Sequence, residues 1–91
     1  MEVRASHILV GSEEQAKDLL NKVSSGDDFA EIAKKYSKCP SGAKGGDLGF
    51  FGRGRMVKEF DKFCFSHKKD DVGVIKTEFG WHVIKVTGVK K

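Results

Sequence analysis

Ser41-Gly-Ala-Lys-Gly-Gly-Asp-Leu-Gly-Phe-Phe-Gly-Arg-Gly-Arg-Met56 holds six of the eleven glycines of the chain, between Gly42 and Gly54. Leu48, Phe50, Phe51 and Met56 are threaded among them. Glycine reaches backbone conformations closed to other residues and lets a second backbone come close, so this density marks turns, bulges or a ligand surface. A flexible spacer gains nothing from large apolar side chains, whereas a binding surface gains affinity by burying them. The stretch therefore reads as the wall of a pocket. Within it only Asp47-Leu-Gly-Phe-Phe51 can pair as a short strand, which sets one strand between two helical regions.

Upstream, Val3 to Val10 reads as a strand with Val3, Ala5, His7 and Leu9 on one face and Ile8 and Val10 on the other. Gly11 ends it, and Ser12-Glu-Glu-Gln15 is a capping box opening a helix to about Ser25. Ala16, Leu19, Leu20 and Val23 form its apolar stripe. Asp27 and Asp28 suit the start of a second helix, on which Phe29, Ile32, Ala33 and Tyr36 repeat the stripe. Pro40 holds Cys39 extended and breaks the helix, so Cys39 is expected in a loop. Downstream, Met56 to Phe65 has helical spacing at Val57, Phe60 and Cys64. Val72–Lys76 and Trp81–Thr87 are strands joined through Thr77-Glu-Phe-Gly80, the length of a hairpin connection. His82, Ile84 and Val86 share one face of the last strand.

The order βααβαββ predicts an α+β domain, a small, mainly antiparallel sheet with helices packed around it. Ninety-one residues allow one domain, spanning 1–91. The hydrophobic fraction of 38% suffices for a core, and 33% charged residues keep the surface soluble. The net charge of +4 is spread along the chain, which fits a solvated surface better than a nucleic-acid stripe. Cys39 and Cys64 have neither metal-ligand spacing nor the density of a disulfide framework, so reduced thiols in the cytoplasm are expected. The opening Met-Glu-Val-Arg carries no basic segment leading into an apolar one, and no apolar run nears the roughly 20 residues of a membrane span.

His7 and His82 alternate with aliphatic residues on faces that should be covered. An imidazole buried without a hydrogen bond is costly, so the two should satisfy one another or nearby hydroxyls. A structural pair and a working site fit this observation equally well. Thr77 and Cys39 are the nearest candidates to complete such a network. A zinc site would need about four ligands, and Cys39, Cys64, His7 and His82 lie on separate elements, so no metal is expected. A Cys39 nucleophile lacks an identifiable orienting group. Gly46-Asp-Leu-Gly49 has the G-x-x-G spacing of a nucleic-acid clamp, but Asp47 and Phe50-Phe51 suit an apolar surface better.

Together, His7-Ile-Leu-Val10, Cys39-Pro-Ser-Gly42, Gly45-Gly-Asp-Leu-Gly49, Arg53-Gly-Arg-Met-Val57, Glu59-Phe60 and Phe79-Gly-Trp-His-Val-Ile-Lys85 resemble the parvulin-type peptidyl-prolyl cis/trans isomerases, in order and nearly end to end. The small stand-alone, single-domain parvulins are the most similar. The resemblance implies a four-stranded antiparallel sheet surrounded by helices, isomerisation of Xaa-Pro bonds in peptides and flexible protein segments, no cofactor, and a monomer. It implies a polar group of His7, Cys39, Thr77 and His82. It also implies an apolar seat for the proline at Leu48, Met56 and Phe60, with Phe51 beside it and Phe79 at the rim. Phosphate-directed parvulins carry a lysine and arginine loop after the first strand; here Gly11-Ser12 leads into Glu13-Glu14, which would repel a phosphate. The competing reading is a non-catalytic module binding proline peptides or nucleic acid.

Overall fold

The computed structural model describes residues 1–90. Its elements follow the order β1 (Glu2–Val10), α1 (Glu13–Ser24), α2 (Phe29–Tyr36), a 3-10 helix (Pro40–Lys44), β2 (Asp47–Phe51), α3 (Lys58–Ser66), β3 (Val72–Thr77) and β4 (Gly80–Lys90). The four strands form one antiparallel sheet, ordered β2-β1-β4-β3. This is the α+β architecture that the element order implied. No helix among the described residues is long and apolar enough to cross a membrane.

The helices form where local chemistry and an apolar stripe agree. Ser12 Oγ accepts from the Gln15 amide at 3.2 Å to start α1, and Asp28 Oδ1 accepts from the Ala30 amide at 3.1 Å to start α2. Their stripes, led by Leu19, Phe29 and Ile32, cover Ile8, Val10 and Val83 on one face of the sheet. Phe60 and Cys64 of α3 cover Val3, Ala5, Ile84 and Val86 on the other. Each large aliphatic or aromatic side chain so buried contributes roughly 1.5–3 kcal/mol, so both faces are needed to hold a domain this small.

Three features depart from the sequence reading. The segment after Cys39 is a 3-10 helix rather than an open loop, with Pro40 in its first turn, where a missing amide hydrogen costs nothing. α3 begins at Lys58 rather than Met56. β4 runs to Lys90 because it skips a residue against β1: Arg4 pairs with Gly88 but Ala5 with Val86. The extra residue, Thr87, shifts the alternation, so that Val89 joins Val86 on the α3 face, where simple period-two counting would part them.

A second bulge matters more for the site. Arg4 pairs with Phe50 and Ser6 with Asp47, which leaves Leu48 and Gly49 facing the single residue Ala5. Gly49 takes φ +71°, and Asp47 Oδ1 accepts its amide at 3.0 Å. Leu48 and Phe51, three residues apart, are thereby both turned to the α3 side, since a bulge re-aims side chains. Asp47 is also held in place by Arg4, at 2.6 Å.

Candidate active site

β1 and β4 are the two central strands, and Leu9 pairs with His82 while His7 pairs with Ile84. His7 and His82 are therefore diagonal neighbours on the α3 face. Their Nδ1 atoms lie 3.0 Å apart, with the rings nearly parallel at an interplanar angle of 16°. Phe60 sets its ring edge-on to both, with centroids 5.6 Å from His7 and 5.9 Å from His82.

The polar chain continues at both ends. His82 Nε2 lies 2.7 Å from Thr77 Oγ1, which accepts the Phe79 amide at 3.2 Å. His7 Nε2 lies 3.0 Å from Ser41 Oγ, whose hydroxyl donates to Cys39 Sγ at 3.3 Å. One direction of hydrogen bonding satisfies every donor. The Thr77 hydroxyl donates to His82 Nε2, His82 Nδ1–H donates to His7 Nδ1, and His7 Nε2–H donates to Ser41. The reverse direction leaves the Thr77 hydroxyl hydrogen without an acceptor among the described residues. Ser41 is thus the link between His7 and Cys39 that sequence reasoning passed over; its only sequence signal was a hydroxyl two residues from the cysteine.

Only one proton fits between the two Nδ1 atoms, so the imidazoles cannot both be charged, and burial disfavours a charge on either. Burial pushes the His7 pKa down to about 4, helped by the neighbouring His82, and burial also lowers that of His82. An unfolded histidine titrates near 6.5. As pH falls from about 6.5 to about 4, the unfolded chain takes up protons that the folded pair refuses, so stability falls with pH across this window and is fully present above it. His7 alone makes this loss on the order of 3 kcal/mol. Urea denaturation at about pH 7.5 and about pH 4.5 should show a clearly lower midpoint at the acid end; equal midpoints would contradict the neutral pair. Asp47 does not confuse this window, because its hydrogen bond from Arg4 moves its titration below the usual carboxylate range.

Beside this network lies an apolar cavity of about 400 Å³, walled in part by Leu9, Leu48, Met56, Val57, Phe60 and Phe79, with His7, His82, Lys38, Cys39 and Pro40 also lining it. Phe60 is 3% exposed and forms the floor, whereas Phe79 is 64% exposed and stands at the rim. Of the residues expected at an apolar seat, Leu48, Met56, Phe60 and Phe79 meet here. Phe51 does not line the cavity. It sits behind Phe60, with centroids 6.2 Å apart, and is buried in the α3-side core, because the strand that carries Leu48 to the cavity ends with Phe51 against Val3. Thr77 likewise stands behind His82 rather than on the wall. Leu9, Lys38, Pro40 and Val57 complete the lining, and sequence reasoning had not assigned them there.

Cys64 lies apart in the core of α3, with its thiol pushed up to about 12 by burial and then by Asp61. Among the described residues no three or more His, Cys, Asp or Glu side chains gather as a metal would require.

The family described as the PPIC-type PPIase domain matches residues 1–90. The foldase protein PrsA of Geobacillus kaustophilus is 48% identical over 91 residues, covering 98% of this chain and 32% of the relative. The chain therefore spans about a third of the length of that curated relative. Among solved structures, the peptidylprolyl isomerase PrsA from Bacillus anthracis superposes with a TM-score of 0.95 at 40% identity, over 99% of this chain and 42% of the other. The parvulin of Nitrosopumilus maritimus superposes with a TM-score of 0.87 at 39% identity, over 96% of both chains. Sequence and fold thus agree, and the chain belongs to the PPIC-type peptidyl-prolyl cis/trans isomerase family, the parvulins.

Proposed function

We propose that this domain isomerises Xaa-Pro bonds in peptides and in unfolded or flexible protein segments, by a route that is neither covalent nor directed to phosphate. The observation that carries the reading is the apolar cavity set directly against a neutral, fully hydrogen-bonded histidine pair. Rotation about the prolyl bond faces a barrier of about 18–20 kcal/mol because amide resonance is lost midway. Accelerating it by roughly 10³- to 10⁵-fold takes about 4–7 kcal/mol of selective transition-state binding. Water stabilises the charge-separated planar amide, so a dry cavity raises the ground state relative to the twisted one. Leu48, Met56 and Phe60 hold the ring, and the carbonyl turns beside Cys39 and the histidines.

In this scheme His7, Cys39, Thr77 and His82 fix the shape and polarity of the cavity without forming a bond to substrate. The position of Cys39 as acceptor from Ser41 supports that role over nucleophilic attack. The reading extends to a self-sufficient, monomeric, cytoplasmic unit. Support comes from the near-complete coverage of the Nitrosopumilus maritimus parvulin and from the two free cysteines. Glu13 and Glu14, in the first turn of α1 after Gly11-Ser12, argue against phosphorylated clients, and the scattered charge argues against nucleic acid.

Two-dimensional NMR exchange on short Xaa-Pro peptides should show faster cis/trans interconversion with the purified chain and without added metal. No acceleration at high protein concentration would reject the enzyme. Cys39→Ala should keep at least about a tenth of the rate, since it removes one acceptor at the end of the chain. A fall of more than about a thousandfold would instead reinstate covalent catalysis.

A further inference from the structure

Among the residues lining the apolar cavity, Lys38 alone carries a charge at neutral pH, the two histidines being held neutral. Its backbone amide donates to the Leu9 carbonyl at 2.8 Å, which ties it to the end of β1. Its side chain reaches along the start of the next segment: a methyl group added at Gly11 would lie 2.9 Å from Lys38 Nζ. The side chain is exposed, and Lys38 takes part in none of the ion pairs formed among the described residues. Its ammonium therefore stands unpaired beside Gly11, on a residue that lines an otherwise uncharged cavity.

We propose that Lys38 sets substrate preference, favouring a carboxylate side chain, Glu or Asp, on the residue before the proline. The inference rests on the isomerase reading. With the ring held by Leu48, Met56 and Phe60, the turning carbonyl faces the polar wall at Cys39. That carbonyl belongs to the residue before proline, so the side chain of this residue emerges next to Lys38, the neighbour of Cys39. A monoanion matches one ammonium. A phosphate dianion calls for more cationic partners, and Glu13 and Glu14, which follow Gly11-Ser12, repel a dianion about twice as strongly as a monoanion, with Glu13 compensated only by a long contact to Lys17 at 3.9 Å. The neighbouring pocket that shares Val57 with this cavity offers no comparable preference, because Lys58 and Lys76 there are interspersed with Glu59 and Glu78.

The test is exchange NMR on matched peptides with Glu, Gln, Lys or phosphoserine before proline, and on one with Gln before and Glu after it. The full chain should favour Glu over Gln by about two- to fivefold, the scale of a part-exposed ion pair, and the advantage should shrink in high salt. Glutamate after the proline should bring no such gain. Lys38→Arg should retain the preference, Lys38→Gln should erase it, and Lys38→Glu should invert it in favour of Lys before proline. Lys35→Gln, at a residue that does not line the cavity and whose Nζ lies over the Tyr36 ring, should leave it intact. A Glu-to-Gln ratio that stays the same in Lys38→Gln and Lys38→Glu would overturn the assignment while leaving the isomerase standing. So would a phosphoserine peptide exceeding the Glu peptide by more than about tenfold. If no peptide is accelerated, the isomerase reading fails first and takes this inference with it.

Discussion

Phe60→Ala is expected to lower the exchange rate on a Gln-Pro peptide by about a hundredfold or more and to cut stability by roughly 3–5 kcal/mol. The ring is 3% exposed, forms the cavity floor, and packs edge-on to both histidines and tilted against Phe51. Truncation removes the surface on which the prolyl ring would rest and opens a void in a core shared with Cys64 and Ile84. For a domain of this size each kcal/mol lowers the melting temperature by about 4–8 °C, so the variant should melt well below the parent. Met56→Ala separates the two effects. Met56 is only half-buried yet lines the same cavity, so its loss should reduce activity severalfold with a smaller change in melting. Calorimetry beside exchange NMR reads both. A Phe60→Ala protein with unaltered exchange would remove the proline seat from this cavity, and one that fails to fold leaves Met56→Ala to decide.

Gly46→Ala is expected to be as severe, for a backbone reason. Gly46 takes φ +80°, and a methyl group there would come 2.3 Å from the His7 carbonyl oxygen, far inside contact distance. The same two residues are joined by the His7 amide donating to the Gly46 carbonyl at 2.9 Å, so neither can withdraw without breaking the link that seats His7. The substitution should cost about 3 kcal/mol or more, and it should displace the His7 ring from His82 and lower exchange activity. Gly49→Ala is the internal comparison, since Gly49 also has positive φ, at +71°, but has no atom within 4 Å of an added methyl. It should lose only the roughly 1–2 kcal/mol of the left-handed conformation itself. Equal losses in urea denaturation would show that the close approach to His7 contributes nothing.

Much of the fold was legible because local and tertiary demands agree along most of the chain. The stripes Ala16, Leu19, Leu20, Val23 and Phe29, Ile32, Ala33, Tyr36 became helices over the same sheet face, and Thr77 to Gly80 became a tight hairpin turn. The two-faced reading of β1 also carried through, with Ile8 and Val10 under α1 and α2 and Val3 and Ala5 under α3. Pairing across the sheet was less accessible, since alternation tells which face a histidine takes but not which strand lies beside it. That His7 and His82 meet depends on β1 and β4 being adjacent and offset by two residues.

The sequence by itself therefore determined the element order and the two apolar faces, because each follows from spacing along one strand or helix. The tertiary structure decided where the site residues converge. The glycine-rich segment brings Gly46 against the His7 backbone, while the bulge at Leu48 and Gly49 turns Leu48 to the cavity and leaves Phe51 behind Phe60. The second bulge, at Thr87, keeps Val89 on the α3 face. The physical reason is common to all three: a bulge or a close backbone approach is set by the partner strand, and one extra residue in a ladder reverses every side chain beyond it.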